Sequence, residues 1–325
     1  MKAVFHSPLS KELQGFLLFK RSLGVLYEKA EFRLLEFDRF LQEYAARHRR
    51  WRLADAMGAW LGRESRRKAA SVAIEVSQLR QFCFYLRRLP GRPLTHEPLW
   101  PKLGTEGRFL PYVLSESDVK QLLKLSTQLK QPPFRAPLYR MLLLLLYCTG
   151  IRFGEALRLC MHDVDLQAGV LFVQVFKGRS RWVPFHRSLA REMDKYLKAR
   201  QEFTGTMPKP GDRFLVGTNY ESLSVSTAGR TLRNLFKKAG LKPPRGRIGP
   251  RPYDTRHAFA IHRLSRWYRQ GVDLHARLPW LSAYMGHGDI LGTETYLHAT
   301  PELLELAGNR LRRRYLSPSV VEDIE

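Results

Sequence analysis

A chain of 325 residues with 44% hydrophobic content can bury more than one core. Lys and Arg number 55 against 30 Asp and Glu, a formal charge of +25, so the partner expected is a polyanion. Phosphate backbones come before anionic membrane, because neutralising them releases condensed counterions, and the longest apolar run, Met141 to Cys148, is far short of the ~20 residues that span a bilayer.

Near the start, the apolar stretch Phe16 to Tyr27 is broken by Lys20 and Arg21, so neither a leader peptide nor an anchor is expected and the protein should be cytoplasmic and nucleoid-associated. Apolar residues then recur at spacings of three and four, first at Phe32, Leu35, Phe37 and Leu41 and again at Val72, Val76, Leu79, Phe82, Cys83 and Leu86. This is the pattern of a small helical domain. It carries Arg47, Arg49, Arg50, Arg52, Arg63, Arg66, Arg67, Lys68, Arg80, Arg87 and Arg88, an excess over acid that favours DNA contact over a merely solvated face, with Arg66, Arg67 and Lys68 as its densest run. Prolines 90, 93, 98, 101 and 111 and glycines 91, 104 and 107 then erase all periodicity. We divide the chain there into an N-terminal domain (1–92), a linker (93–110) and a larger domain (111–325).

The larger domain opens on Ser115-Glu116-Ser117-Asp118, a capping-box-like helix start. Leu138 to Cys148 is too apolar for a surface helix and belongs at the centre of the core, ending at Thr149-Gly150, where glycine can take the left-handed conformation. Val170 to Phe176 and Arg181 to Phe185 are rich in strand formers and flank Lys177-Gly178-Arg179-Ser180, a hairpin with Lys177 at or beside its turn. Helical patterns resume from Leu189, interrupted by loops at 204–212 and 240–252; the second holds Lys242, Arg245, Arg247 and Arg251 and reads as a phosphate clamp or an ordinary surface loop. Leu303, Leu304, Leu306 and Leu311 mark a last amphipathic helix before an acidic end. Cys83, Cys148 and Cys160 lack metal or disulfide spacing and read as reduced core thiols.

Five ordered segments carry the chemistry. Thr149-Gly150-Ile151-Arg152-Phe153-Gly154-Glu155-Ala156-Leu157 resembles the TGxRxxEhL segment of tyrosine recombinases and phage-type integrases. Lys177 matches that family's hairpin lysine, Tyr253-Asp254-Thr255-Arg256-His257-Ala258-Phe259-Ala260 its HxLRHTFA segment, Tyr284-Met285-Gly286-His287 its hLGH segment, and Thr293-Glu294-Thr295-Tyr296-Leu297-His298 its TxxYxH segment. The resemblance covers roughly residues 110 to 300. It implies a mainly α fold with a small antiparallel β-sheet (α+β), a helical core-binding domain ahead of a catalytic domain, and cleavage and rejoining of double-stranded DNA through a 3′-phosphotyrosine. It also implies a homo-tetramer on DNA, alone or alongside partner recombinases.

These residue types suit that chemistry. Transesterification at a phosphodiester gathers negative charge on the non-bridging oxygens, which Arg152 and Arg256 can clamp with paired, permanently charged donors. The 5′-oxygen leaving group needs a proton, for which Lys177 is the candidate, while its neighbours Arg179 and Arg181 are candidate backbone contacts together with Arg245 and Arg247. Tyr296 is the nucleophile, with Tyr284 as the alternative; a phenol of pKa near 10 needs local positive charge to ionise. His287 is expected on the scissile phosphate, with His257 and His298 as supporting groups. Glu155 either pairs with a catalytic arginine or serves as a first-turn acid. Tyr253 stands where most of the family has histidine; it can donate a hydrogen bond but is a poor base near neutrality. No metal or cofactor is implied, since ligand spacing and a P-loop are both missing. Two other readings remain: a type IB topoisomerase, which shares this residue set, and a non-catalytic DNA-binding protein of the same fold.

Overall fold

A computed structural model describes residues 4–63, 69–90, 100, 112–174, 180–245, 248–294, 296–297, 305, 308–309 and 312. The chain divides into two compact units, Met1–Phe109 and Leu110–Glu325.

Among its described residues the first unit holds four helices, α1 (Ser10–Ser22), α2 (Glu28–Arg47), α3 (Leu53–Gly62) and α4 (Ala69–Leu86). Their apolar faces meet through Leu13, Phe16, Leu34, Phe37, Leu41, Met57, Val76, Leu79 and Phe82, all at most 3% exposed. On α2 the inward phase is set by Leu34 and Phe37; Phe32, expected in the same stripe, is exposed. Asp38 is buried and accepts the backbone N–H groups of His6 (2.7 Å) and Ser7 (3.0 Å), so it fixes the segment that leads into α1. Of the basic residues, Arg63 is drawn in, paired with Glu75 at 3.2 Å and lying over the Trp60 ring, whereas Arg47, Arg49, Arg50, Arg52, Arg80, Arg87 and Arg88 are exposed. Arg66, Arg67 and Lys68 lie outside the described residues, as does most of the expected linker.

The second unit is helical around a three-stranded sheet. Helix α5 (Glu116–Ser126) begins with the expected capping box: Ser115 Oγ accepts from Asp118 N at 3.1 Å, and Asp118 Oδ2 accepts from Ser115 N at 2.9 Å. Helix α6 (Arg135–Thr149) is the central rod, packed against α5, α8 (Arg187–Thr204) and α10 (Asp254–Arg269). It ends at Gly150 in the left-handed region, φ 61°. Short α7 (Phe153–Arg158) leads to the antiparallel strands β1 (Val164–Asp165), β2 (Val170–Val173) and β3 (Arg181–Pro184), arranged in that order. The hairpin register pairs Val173 with Arg181 and Val170 with Pro184; its turn, with Lys177 and Arg179, lies outside the described residues. Helices α9 (Val225–Lys238), α11 (Leu274–Met285) and α12 (Leu291–Glu294) complete the unit. The expected helix over 301–315 falls almost wholly outside the described residues.

Two expectations about side chains need correction. Cys83 is buried, but Cys148 is exposed and Cys160 intermediate, because α6 turns one edge of its apolar run outward and Cys160 sits beyond α7 in a loop. All three thiols are free. Among the described residues no helix is long and apolar enough to cross a membrane.

Candidate active site

Two glycines build the site. Gly150 ends α6 and Gly286 ends α11, both with left-handed backbones (φ 61° and 67°) that a Cβ would strain. Neither has room for one: a Cβ on Gly150 would collide with the Phe259 ring, and on Gly286 it would lie 2.7 Å from Arg181 Nη1. The tight reversals turn carbonyls of the two helix ends toward the arginines. Arg256 donates from Nη1 to Gly150 O (2.7 Å) and from Nη2 to Met285 O (2.6 Å), while Arg152 donates from Nη2 to Gly286 O (2.8 Å). Residues 106 and 134 positions apart in sequence are thereby tied to one point.

The arginines differ in accessibility. Arg256 is 1% exposed, and its Nε is a buried donor with no partner among the described residues. The Arg152 side chain is 35% exposed. Its second Nη donates to Glu155 Oε1 at 2.8 Å, and its backbone N–H to Glu155 Oε2 at 2.8 Å.

Glu155 is the hub. Besides Arg152 it holds Arg181, whose Nη2 reaches Oε2 at 2.8 Å and whose Nη1 reaches Oε1 at 3.2 Å. Burial alone would raise the carboxyl's pKa; the hydrogen bonds and charges of Arg181 and Arg152 outweigh it and hold it at about 2. Arg181 was expected on the DNA-facing surface. It is instead buried, with Nε on Tyr284 O at 2.8 Å, because it shares the inward face of β3 with Val183 while Trp182 points out.

His287 and Tyr296 complete the pocket. His287 follows Gly286, and its Nδ1 lies 2.6 Å from Thr293 Oγ1, a fully buried hydroxyl that the sequence reading did not single out. Its ring is stacked near Tyr296, centroids 6.2 Å apart. Burial, then the charges of Arg256, Arg152 and Arg181, push its pKa down to about 4, so it is neutral at pH 7. Tyr296 is 3% exposed, packed among Phe259, Ile261, Leu264 and Met285. Burial pushes its phenol up to about 12; Arg256 pulls the other way without prevailing. The ring of His257 stands edge-on to both Tyr253 (4.9 Å) and Tyr296 (5.3 Å). Among the described residues its Nδ1 is buried without a partner; its Nε2 is 3.8 Å from Asp254, and burial lowers its pKa. Tyr253 is 39% exposed at the start of α10. The alternative nucleophile, Tyr284, donates its hydroxyl to Pro184 O at 3.0 Å.

The basic loop divides. Lys242 is buried and folds back onto Ile248 O (2.7 Å), whereas Arg251 pairs with buried Asp254 (3.0 Å) on a side chain that stays 46% exposed; Arg245 is exposed. Arg247 and His298 lie outside the described residues. Among the described residues no cluster of three metal-ligating side chains occurs.

The model of the phage integrase family matches residues 112–302. This chain belongs to that family, the tyrosine recombinases. A putative integrase/recombinase, y4rB, of Sinorhizobium fredii is 33% identical over 95% of this chain and 98% of its own length. A tyrosine recombinase, XerD, of Shewanella oneidensis is 29% identical over 84% of this chain and 85% of its own length. Among solved structures, the Tn1549 transposon integrase in complex with circular intermediate DNA covers 92% of this chain and 99% of its own at TM-score 0.64 and 17% identity. The XerH site-specific recombinase in its post-cleavage complex covers 85% and 76% at TM-score 0.60 and 18% identity. At those identities the structural likeness speaks for the fold, mainly α with a small antiparallel sheet.

Proposed function

We propose that this recombinase cleaves and rejoins double-stranded DNA site-specifically through a covalent 3′-phosphotyrosine at Tyr296, without metal or nucleotide. The observation that supports it is the convergence of Arg152, Arg256, His287 and Tyr296 on two helix ends. Arg152, with a third of its side chain open, meets the scissile phosphate first, and the Nε of Arg256, without a partner among the described residues, supplies a donor to a non-bridging oxygen as charge develops. Attack by the Tyr296 oxygen on phosphorus forms the phosphotyrosine bond and breaks the bond to the 5′-oxygen, which takes a proton from Lys177. The energy of the broken bond stays in the new one, so a 5′-hydroxyl reverses the step.

Proton removal from Tyr296 is the hard part, with its phenol held up to about 12. Neutral His287, whose ring is stacked 6.2 Å from that of Tyr296 between centroids, is the candidate acceptor, and Tyr253, exposed and beside His257, serves as a hydrogen-bond donor rather than a base. The exposed arginines of the N-terminal unit and exposed Arg245 of the second-unit loop grip the DNA backbone together with Arg66, Arg67, Lys68 and Arg247, and synapsis uses a tetramer.

A nicked duplex that traps the cleaved state tests this reading. Wild-type protein forms an adduct that survives denaturant, and Tyr296→Phe forms none while retaining DNA affinity. An adduct that persists in Tyr296→Phe assigns the attack to another residue. Relaxation of supercoiled DNA without exchange between two sites replaces the recombinase by a topoisomerase.

A further inference from the structure

We propose that Arg181 is a positioning residue that acts through Glu155 to keep the Arg152 guanidinium available to phosphate. The inference rests on the reading of Arg152 as a phosphate ligand.

The donors around Glu155 are shared unequally between two arginines. A carboxylate facing one arginine tends to take it in a bidentate fork, with two parallel N–H···O bonds. Here the fork belongs to Arg181, whose Nη1 and Nη2 reach Oε1 and Oε2. Arg152 therefore gives Glu155 a single side-chain donor, Nη1, and places Nη2 on Gly286 O. Among the described residues three of the five N–H groups of Arg152 are then uncommitted, on a side chain that is 35% exposed.

The rest of the geometry holds Arg181 to that task. It is 8% exposed, too enclosed for a surface phosphate ligand, and its Nε is fixed by Tyr284 O. Its guanidinium also lies against Gly286, where a Cβ would meet Nη1 and Cζ. A closed ring results, from Arg181 to Glu155, to Arg152, to Gly286 and back to Arg181. It joins β3, the start of α7 and the end of α11, and His287 follows directly. Without Arg181, Glu155 would swing onto Arg152 and compete with DNA for its donors.

The test is single-turnover adduct formation on saturating nicked duplex, with DNA affinity and thermal melting measured alongside. Arg181→Met should slow cleavage by roughly 10²-fold and leave affinity within about threefold. In an Arg152→Lys background the same change should cost less than about threefold, because the residue through which Arg181 acts is already altered. Adding Glu155→Gln to Arg181→Met should recover part of the rate by removing the competing charge, a rescue that a merely structural role would not give. An additive cycle overturns the inference, as does an Arg181→Met protein that cleaves at the wild-type rate. Should Arg181→Met fail to fold, Arg181→Lys, which keeps the charge but loses the fork, decides by the same cycle. If instead Arg152→Lys cleaves like wild type, the function proposed for Arg152 fails and the fault lies there.

Discussion

Two halves of one pocket solve the problem of buried charge in opposite ways. Around Glu155 both carboxylate oxygens are taken by donors from Arg152 and Arg181, and the group is held ionised with a pKa of about 2. Around Tyr296 the balance is left open: Arg256 Nε and His257 Nδ1 are buried without partners among the described residues, the phenol is raised to about 12 and His287 lowered to about 4. The first half is a brace, fixed before any substrate arrives. The second is an arrangement of positive and neutral groups whose unmet bonds favour an incoming anion, the preorganisation that transition-state stabilisation requires.

The sharpest way to break this comparison is Arg256→Lys. A lysine keeps the charge, but its donors all radiate from one nitrogen and cannot reproduce the planar span by which two separate Nη atoms reach Gly150 O and Met285 O with Nε held to one side. We expect adduct formation to fall by about 10²–10³-fold, with a moderate loss of melting temperature because two carbonyls lose their partner. A variant that cleaves within tenfold of wild type would mean that the phosphate is not held by the Tyr296 half.

Much of this arrangement was legible in sequence, and the exceptions have physical reasons. The capping box at Ser115, the helix stop at Gly150 and the hairpin over 170–185 are local features whose residue chemistry dictates them. Arg152, Arg256, His287 and Tyr296 could be selected by motif, yet their convergence depends on backbone carbonyls, which no side-chain pattern reveals. Arg181 was misread because a charged residue beside a turn suggests solvent; its period-two phase with Val183 was the signal that it faces inward. Thr293 carried no signal beyond its place in the tyrosine segment. Lys242 and Arg251 were read by charge alone, whereas their partners, Ile248 O and Asp254, are set by the fold of the loop.

Next in size is the effect of Glu155→Gln on stability. The folded carboxyl titrates near 2 against an ordinary value of 4.5. The unfolded chain therefore binds the extra proton between these values, and the stabilisation, on the order of 3 kcal/mol, is complete above pH 4.5 and lost as pH falls toward 2. Denaturant unfolding should show the variant weaker by that order at pH 7, with the gap narrowing between pH 4.5 and 3. A gap that stays constant with pH would mean that the brace acts through packing rather than through charge.

The smallest expected effect lies in the other half and has the opposite sign with respect to binding. His287 is depressed from 6.5 to about 4, so between those values the unfolded chain takes up the proton and the folded state loses stability as pH falls. His287→Gln should flatten that slope, visible as a smaller loss of melting temperature between pH 6.5 and 4.5. A phosphate placed among Arg152, Arg256 and His287 adds negative charge where three cations now repel the imidazolium, so duplex DNA should move the His287 titration upward. The ring signals followed by NMR in Tyr296→Phe, which cannot cleave by this route, isolate binding from chemistry. A midpoint unchanged by DNA would place the phosphate away from His287 and make its contact with Thr293 a packing feature.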